Sequence, residues 1–316
     1  MRTIEVHSPS IGPIRSWPLA AFLALVVLPV ILLFSFVQPR ATQVDSTASA
    51  VASLTEQPTE GSQPSASFPT QYRYIKHEGL YRVTTVGPSG TSSAFVPKAR
   101  EMWIAPDGSG RIRESTGEPI FLSERDRLVW QAGRMPLLLQ GINQDFGPGR
   151  LTYEDFSRYP TDPAALANAV RDIAARADPR LHAEMFVVVG DLLRQPGVPP
   201  PLAQALYQVA AEIPGVDSIG NVVDRAGRPG IALAMTSDYT GWTVRSTLVF
   251  DPSATTLLEE EKTLLKPVPL LDAVPPVVVG YTTYLASSAI AELPDPLLPV
   301  APANPPSPQG SIVRPE

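Results

Sequence analysis

Between Trp17 and Val37 lie 21 residues without a single charge, WPLAAFLALVVLPVILLFSFV. No other feature restricts the chain so strongly. At ~1.5 Å of rise per residue a helix of this length crosses the ~30 Å hydrocarbon core of a bilayer. Trp17 sits where an interfacial aromatic belongs, and Arg15 and Arg40 bracket the run. Pro29 would kink the helix, which a bilayer span tolerates. The run exceeds the ~7–15 apolar residues of a cleaved secretory signal. The small-residue site Ala48-Ser49-Ala50 also lies far beyond its end. The sequence therefore predicts a retained single-pass anchor over 17–37. Arg2, Arg15 and the terminal amine outweigh Glu5 on one flank, while Arg40 faces Asp45 on the other. The positive-inside bias puts the tail 1–16 in the cytoplasm and the rest outside. Removing the +1 of residues 1–37 from the net −6 leaves −7 on the exported part.

That acidity argues against a nucleic-acid partner, which needs a basic face to displace counterions. The chain has no cysteine, which excludes disulfides, thiolate nucleophiles, zinc–thiolate sites and a lipobox anchor. Its 36 prolines, about 11% against a usual ~5%, must concentrate outside regular structure. Residues 38–70 are rich in Ser, Thr, Ala, Gln and Pro and read as a disordered linker. Residues 289–316 read as a proline-rich, extended tail; from Pro294 onward eight of 23 residues are proline. What remains, 71–288, is one extracytoplasmic domain.

Its periodicity changes twice. Tyr72–Lys76 and Leu80–Val86 alternate in the manner of strands, and Glu101–Ala105 and Arg111–Glu114 flank a Pro106-Asp107-Gly108-Ser109-Gly110 turn. Asp-Gly supplies a positive-φ position, so this is a hairpin, and Asp107 is a turn residue bonding nearby backbone. Leu128–Gln131 is expected to close this β block. The middle is helical. Thr161-Asp162-Pro163 caps a helix carrying Leu166, Val170 and Ile173. A second begins near Leu181, and a third follows Pro199-Pro200-Pro201 and carries Leu202, Leu206 and Val209. Strands return at 218–223, 231–236, 242–250, 256–265 and 277–286. The predicted class is α+β: a curved, mostly antiparallel sheet with about three helices on one face.

Several of these stretches carry a family resemblance. They are Trp103–Arg111, Tyr159–Pro163, Leu206–Val216 (LYQVAAEIPGV), Val223–Ala232 (VDRAGRPGIA) and Phe250-Asp251-Pro252. Together, over roughly Tyr72–Leu285, the chain resembles uncharacterised membrane-anchored actinobacterial proteins often encoded beside extracytoplasmic-function sigma factors. More distantly, the element order is similar to periplasmic lipoprotein carriers and to sensor domains that regulate anti-sigma factors. The resemblance implies a curved sheet plugged by helices, and an envelope-signalling role. The chain departs from the family in its 16-residue cytoplasmic tail, too short to fold alone, which argues against direct sigma-factor sequestration.

Catalytic machinery is not legible. There is no G-x-S-x-G, H-E-x-x-H, P-loop or G-x-G-x-x-G pattern. In the domain only His77 and His182 could act as bases, and both are expected at the surface. Glu259-Glu260-Glu261 is expected to be a solvated strand end. The sequence thus predicts no catalytic residue, cofactor or metal. It predicts a membrane-anchored binding or sensory protein whose partners are envelope proteins or lipid. The alternatives are a lipid or lipoprotein carrier and, from another class, a hydrolase using His77 or His182. If an apolar groove exists, Met185, Val189 and Leu192 of the second helix are its expected lining.

Overall fold

The computed structural model describes residues 71–87, 90–132, 141–177, 180–239, 241–269, 271 and 273–295. The expected anchor, the linker and the tail beyond Asp295 lie outside them. Among the described residues no helix is long and apolar enough to cross a membrane.

Among the described residues nine strands form one open sheet: β1 (Tyr72–Gly87), β2 (Gly90–Ile104), β3 (Gly110–Thr116), β4 (Ile142–Phe146), β5 (Val216–Val223), β6 (Pro229–Tyr239), β7 (Trp242–Phe250), β8 (Leu257–Leu264) and β9 (Val277–Ile290). The order is β4-β3-β2-β1-β9-β8-β7-β6-β5, and every pairing is antiparallel. Pairing of β1 with β9 joins the two β blocks into one sheet. Strand β9 continues two residues beyond Ser288, pairing Ile290 with Tyr72. Register shifts in β1/β9, β5/β6, β7/β8 and β8/β9 insert bulges, the local device by which strands bend.

Local chemistry explains the punctuation. At the β2–β3 turn Gly108 has φ +75°, and its N–H donates to the Ala105 carbonyl at 2.9 Å. The Asp107 carboxylate accepts from the Ser109 N–H at 2.9 Å and from the Ser109 hydroxyl at 2.6 Å, which is the turn role read from the sequence. Helix α2 (Pro163–Ala177) begins after Asp162, whose Oδ1 accepts from the Ala165 N–H at 2.9 Å. Helices α3 (Leu181–Leu193) and α4 (Pro200–Glu212) follow. These three bury one core against the β6–β7 part of the sheet, through Leu166, Val170, Val189, Leu206, Leu233, Leu248 and Phe250. The Tyr207 and Phe250 rings meet edge-to-face, with centroids 5.0 Å apart.

Two expectations need correction. The described residues hold four helices, not three: Leu128–Gln131 belongs to α1 (Glu124–Ala132), not to a strand. Ser123 caps that helix, accepting from the Asp126 N–H at 3.1 Å and donating to Asp126 Oδ2 at 2.9 Å. Asp126 Oδ1 in turn accepts from the Ser93 N–H at 2.9 Å, pinning the helix to β2, and Trp130 packs edge-on against Phe121. A four-residue apolar run cannot separate helix from strand, whereas Ser123-x-x-Asp126 is a readable cap. Strand β4 was not anticipated. Ile-Asn-Gln-Asp-Phe lacks alternation because it is an exposed edge strand.

Candidate functional site

The register of the central strands sets four ionisable or polar residues directly opposite one another. Glu114 of β3 faces Arg100 of β2, Arg100 faces His77 of β1, and His77 faces Tyr284 of β9. One step along, Glu260 of β8 faces Thr282 of β9. Because side chains at i and i+2 share a face, these groups form a continuous polar belt. It lies on the helix-covered side, since Glu260 also pairs across the sheet with the core residue Leu248.

Each member of the belt has partners. Glu114 is held by Arg100 and by Lys98, the latter at 2.5 Å. Burial alone would raise the Glu114 pKa, but Arg100 and Lys98 hold it below the usual carboxylate range. At the other end Arg194, just past α3, donates its Nη2 to Glu260 Oε2 at 2.6 Å and also pairs with Asp191. Burial would raise Glu260 as well, and the Arg194 guanidinium reverses it, so the carboxyl titrates low. The Tyr284 hydroxyl donates to Glu260; burial and that negative neighbour push its pKa well above 10.

Between these ends sits His77. Its Nδ1 lies 3.2 Å from the Tyr81 hydroxyl, which lies 3.2 Å from Thr282 Oγ1. Its ring also tilts against Tyr284 at 5.9 Å. Gly79 makes the Tyr81 contact possible: a Cβ there would meet the Tyr81 ring at 3.0 Å and the Tyr281 carbonyl at 2.4 Å. Burial, with Arg100 adding to it, lowers the imidazole pKa to about 4. His77 is therefore neutral at pH 7 and sits half-buried within this hydrogen-bonded network rather than fully exposed at the surface. His182, at the start of α3, is exposed.

The acidic run was expected in solvent and is instead interior. Glu259, Glu260 and Glu261 are 0%, 8% and 2% exposed. Alternation sends Glu259 and Glu261 to the face opposite Glu260. There Arg225, from the β5–β6 turn, pairs with both, reaching Glu261 at 2.5 Å. The Arg225 N–H donates to Glu259 Oε2 at 2.9 Å, and its guanidinium lies 4.0 Å from the Tyr281 ring centroid. Thr283 and Thr263 hydroxyls donate to Glu259 and Glu261 at 2.9 and 2.8 Å. Burial raises the Glu259 pKa, with Arg225 pulling against it. Among the described residues no group of three or more His, Asp or Glu side chains could hold a metal ion.

Met185, Val189 and Leu192 are all buried in the core between helices and sheet. None of them meets the polar belt through a hydrogen bond. Sequence reasoning missed the belt because its members come from five strands and one helix end. The one local hint was the acidic triplet inside an otherwise strand-like stretch, with a basic turn at Arg225–Arg228.

No family model matches the chain and no curated protein matches it, so the comparisons give no support to the resemblance to membrane-anchored actinobacterial proteins. Among solved structures, the MucA/MucB complex of Pseudomonas aeruginosa aligns at 12% identity and a TM-score of 0.28, covering 74% of this chain and 56% of that one. A LolA-superfamily protein from Nitrosomonas europaea aligns at 11% identity and a TM-score of 0.12, covering 72% of this chain and 90% of that one. The chain thus spans little more than half the length of the first. Likenesses at these scores carry no argument about ligand or activity.

Proposed function

We propose that this chain is a non-catalytic binding and sensory protein. Residues 17–37 anchor it in the membrane, with 1–16 cytoplasmic and the sheet domain outside, in an envelope-signalling pathway linked to sigma-factor control. The observation that carries the non-catalytic part is the state of His77. A histidine that activates a nucleophile must accept a proton as the reaction proceeds, and an orienting carboxylate makes that easier. Here burial and Arg100 oppose protonation, and the hydroxyl beside Nδ1 is a tyrosine bonded to a threonine. The carboxylates of the belt are bound to arginine and lysine instead. This arrangement suits a rigid scaffold in which Arg194 ties α3 to the sheet.

The full-length protein in its own membrane fraction should turn over no ester, peptide or glycoside substrate. Turnover that His77→Ala or His182→Ala abolishes would overturn the non-catalytic reading. Deleting the gene in its host should change the output of an envelope-stress sigma reporter, and an unchanged reporter would remove the signalling part. Uptake of a fluorescent fatty acid by the wild type would favour a lipid carrier instead.

A further inference from the structure

Arg111 and Arg113 of β3 are 4% and 3% exposed, although β3 lies only one strand in from the sheet edge. They alternate with Glu114 and therefore face away from the polar belt. What they bond is main chain from beyond β9. Arg111 Nη1 donates to the Pro294 carbonyl at 2.6 Å, and Arg113 Nη2 donates to the Asp295 carbonyl. The strap leaves β9 at Ile290 and bends at Ala291 and Glu292 before it reaches the two arginines.

The platform beneath this strap is fixed by contacts of its own. Asp145 of β4 grips Arg111 through both Nε and Nη2, the latter at 2.8 Å. Trp103, opposite Arg111 in the register, packs against Tyr74 with ring centroids 5.1 Å apart, and the Arg113 guanidinium lies 5.6 Å from the Trp103 ring centroid. The Tyr74 hydroxyl donates to Glu101 at 2.7 Å. One donor stays unused: the buried Arg113 Nε meets no acceptor, so the site offers more than its own chain takes up.

We propose that this platform of Tyr74, Trp103, Arg111 and Arg113 is a binding site for an extended, proline-containing polypeptide, with Leu293–Asp295 of the same chain as its resident ligand. The chemistry is complementary. Guanidinium groups only donate, while proline has no N–H and an extended proline-rich backbone carries carbonyls with no internal partner. Aromatic faces beside them suit pyrrolidine rings. Because the resident segment is tethered, it competes at the ~mM effective concentration of a short linker. A partner's proline-rich segment therefore binds only when the strap is displaced. This goes beyond the function proposed above and does not depend on it, since the platform and the belt lie on opposite faces of the sheet.

The test uses the full-length chain with Leu293→Gly, Pro294→Ser and Asp295→Gly together, which softens the strap. A fluorescein-labelled peptide of residues 290–302 should bind this triple variant at least tenfold more tightly than it binds the wild type. Adding Arg113→Ala should abolish binding, whereas Arg113→Lys, which keeps the charge and guards against misfolding, should retain part of it. The same peptide with every proline replaced by alanine should bind at least fivefold more weakly. Equal binding to triple variant and wild type, binding that survives Arg113→Ala, or indifference to the prolines would each overturn the proposal.

Discussion

Removing the Arg225 side chain is the sharpest perturbation of this fold. Glu259 and Glu261 are 0% and 2% exposed, and both pair with Arg225. In Arg225→Ala two adjacent carboxylates would remain in the interior without their cation. Taking one partner from a buried ion pair costs about 3–5 kcal/mol. For a domain of about 220 residues, where each kcal/mol moves the melting midpoint by ~2–4 °C, that is a loss of roughly 6–20 °C. The pH dependence supplies a second handle. Burial already raises the Glu259 pKa, and Arg225 is the main influence pulling it down. Without Arg225 the folded-state value lies further above the unfolded one. A carboxyl with a raised folded pKa contributes stability below its unfolded pKa of ~4.3 and loses it as pH rises through the folded value. The deficit against wild type should therefore be smallest near pH 4–5 and grow toward pH 8, read by circular-dichroism melts across that range. Combining Arg225→Met with Glu259→Gln and Glu261→Gln should recover most of the loss, because a neutral interior leaves no charge unpaired. A deficit below ~3 °C at pH 8, or one that does not change with pH, would refute this account.

Other outcomes follow from the same structure. His77, with its pKa lowered to about 4, binds fewer protons folded than unfolded between pH 4 and ~6.5, so wild-type stability should fall as pH drops through that window; His77→Gln should flatten the fall, and a parallel pH profile would show that His77 is not its source. Val189→Glu places a carboxylate at a fully buried core position and should cost several kcal/mol; a variant that melts like wild type but binds apolar probes differently would show that an open groove lies there. Gly108→Ala puts a side chain on a residue with φ +75°, with its Cβ 2.7 Å from the Leu151 carbonyl, and should lower stability by about 1–3 kcal/mol in a denaturant titration; an unchanged midpoint would mean the β2–β3 turn relaxes freely.

Much of the architecture is legible in the sequence because its signals are local. Asp107-Gly108 marks a hairpin, Asp162-Pro163 a helix start and Asp251-Pro252 a strand break, each through the conformations those residues favour within a few positions of themselves. Trp242–Phe250 reads as a strand with the bounds it has in the fold, because its apolar and β-branched residues need no distant partner to show their preference. Where a signal was short, as at Leu128–Gln131, period alone misled and only the Ser123 cap told helix from strand. Residues far apart in sequence meet through tertiary structure alone. The pairing of Tyr72 with Ile290 merges two strand blocks into one sheet, and nothing near either residue announces the other. That merger brings Glu114, Arg100, His77 and Tyr284 into one row. The acidic triplet shows the limit most clearly. Three consecutive glutamates read as a solvated end, since desolvating one carboxylate is costly unless a cation comes with it. The cations were Arg194, 66 positions away from Glu260, and Arg225, 34 from Glu259 and 36 from Glu261. Composition and period describe what a residue prefers alone, whereas a buried charge is stable only through a partner that the fold delivers.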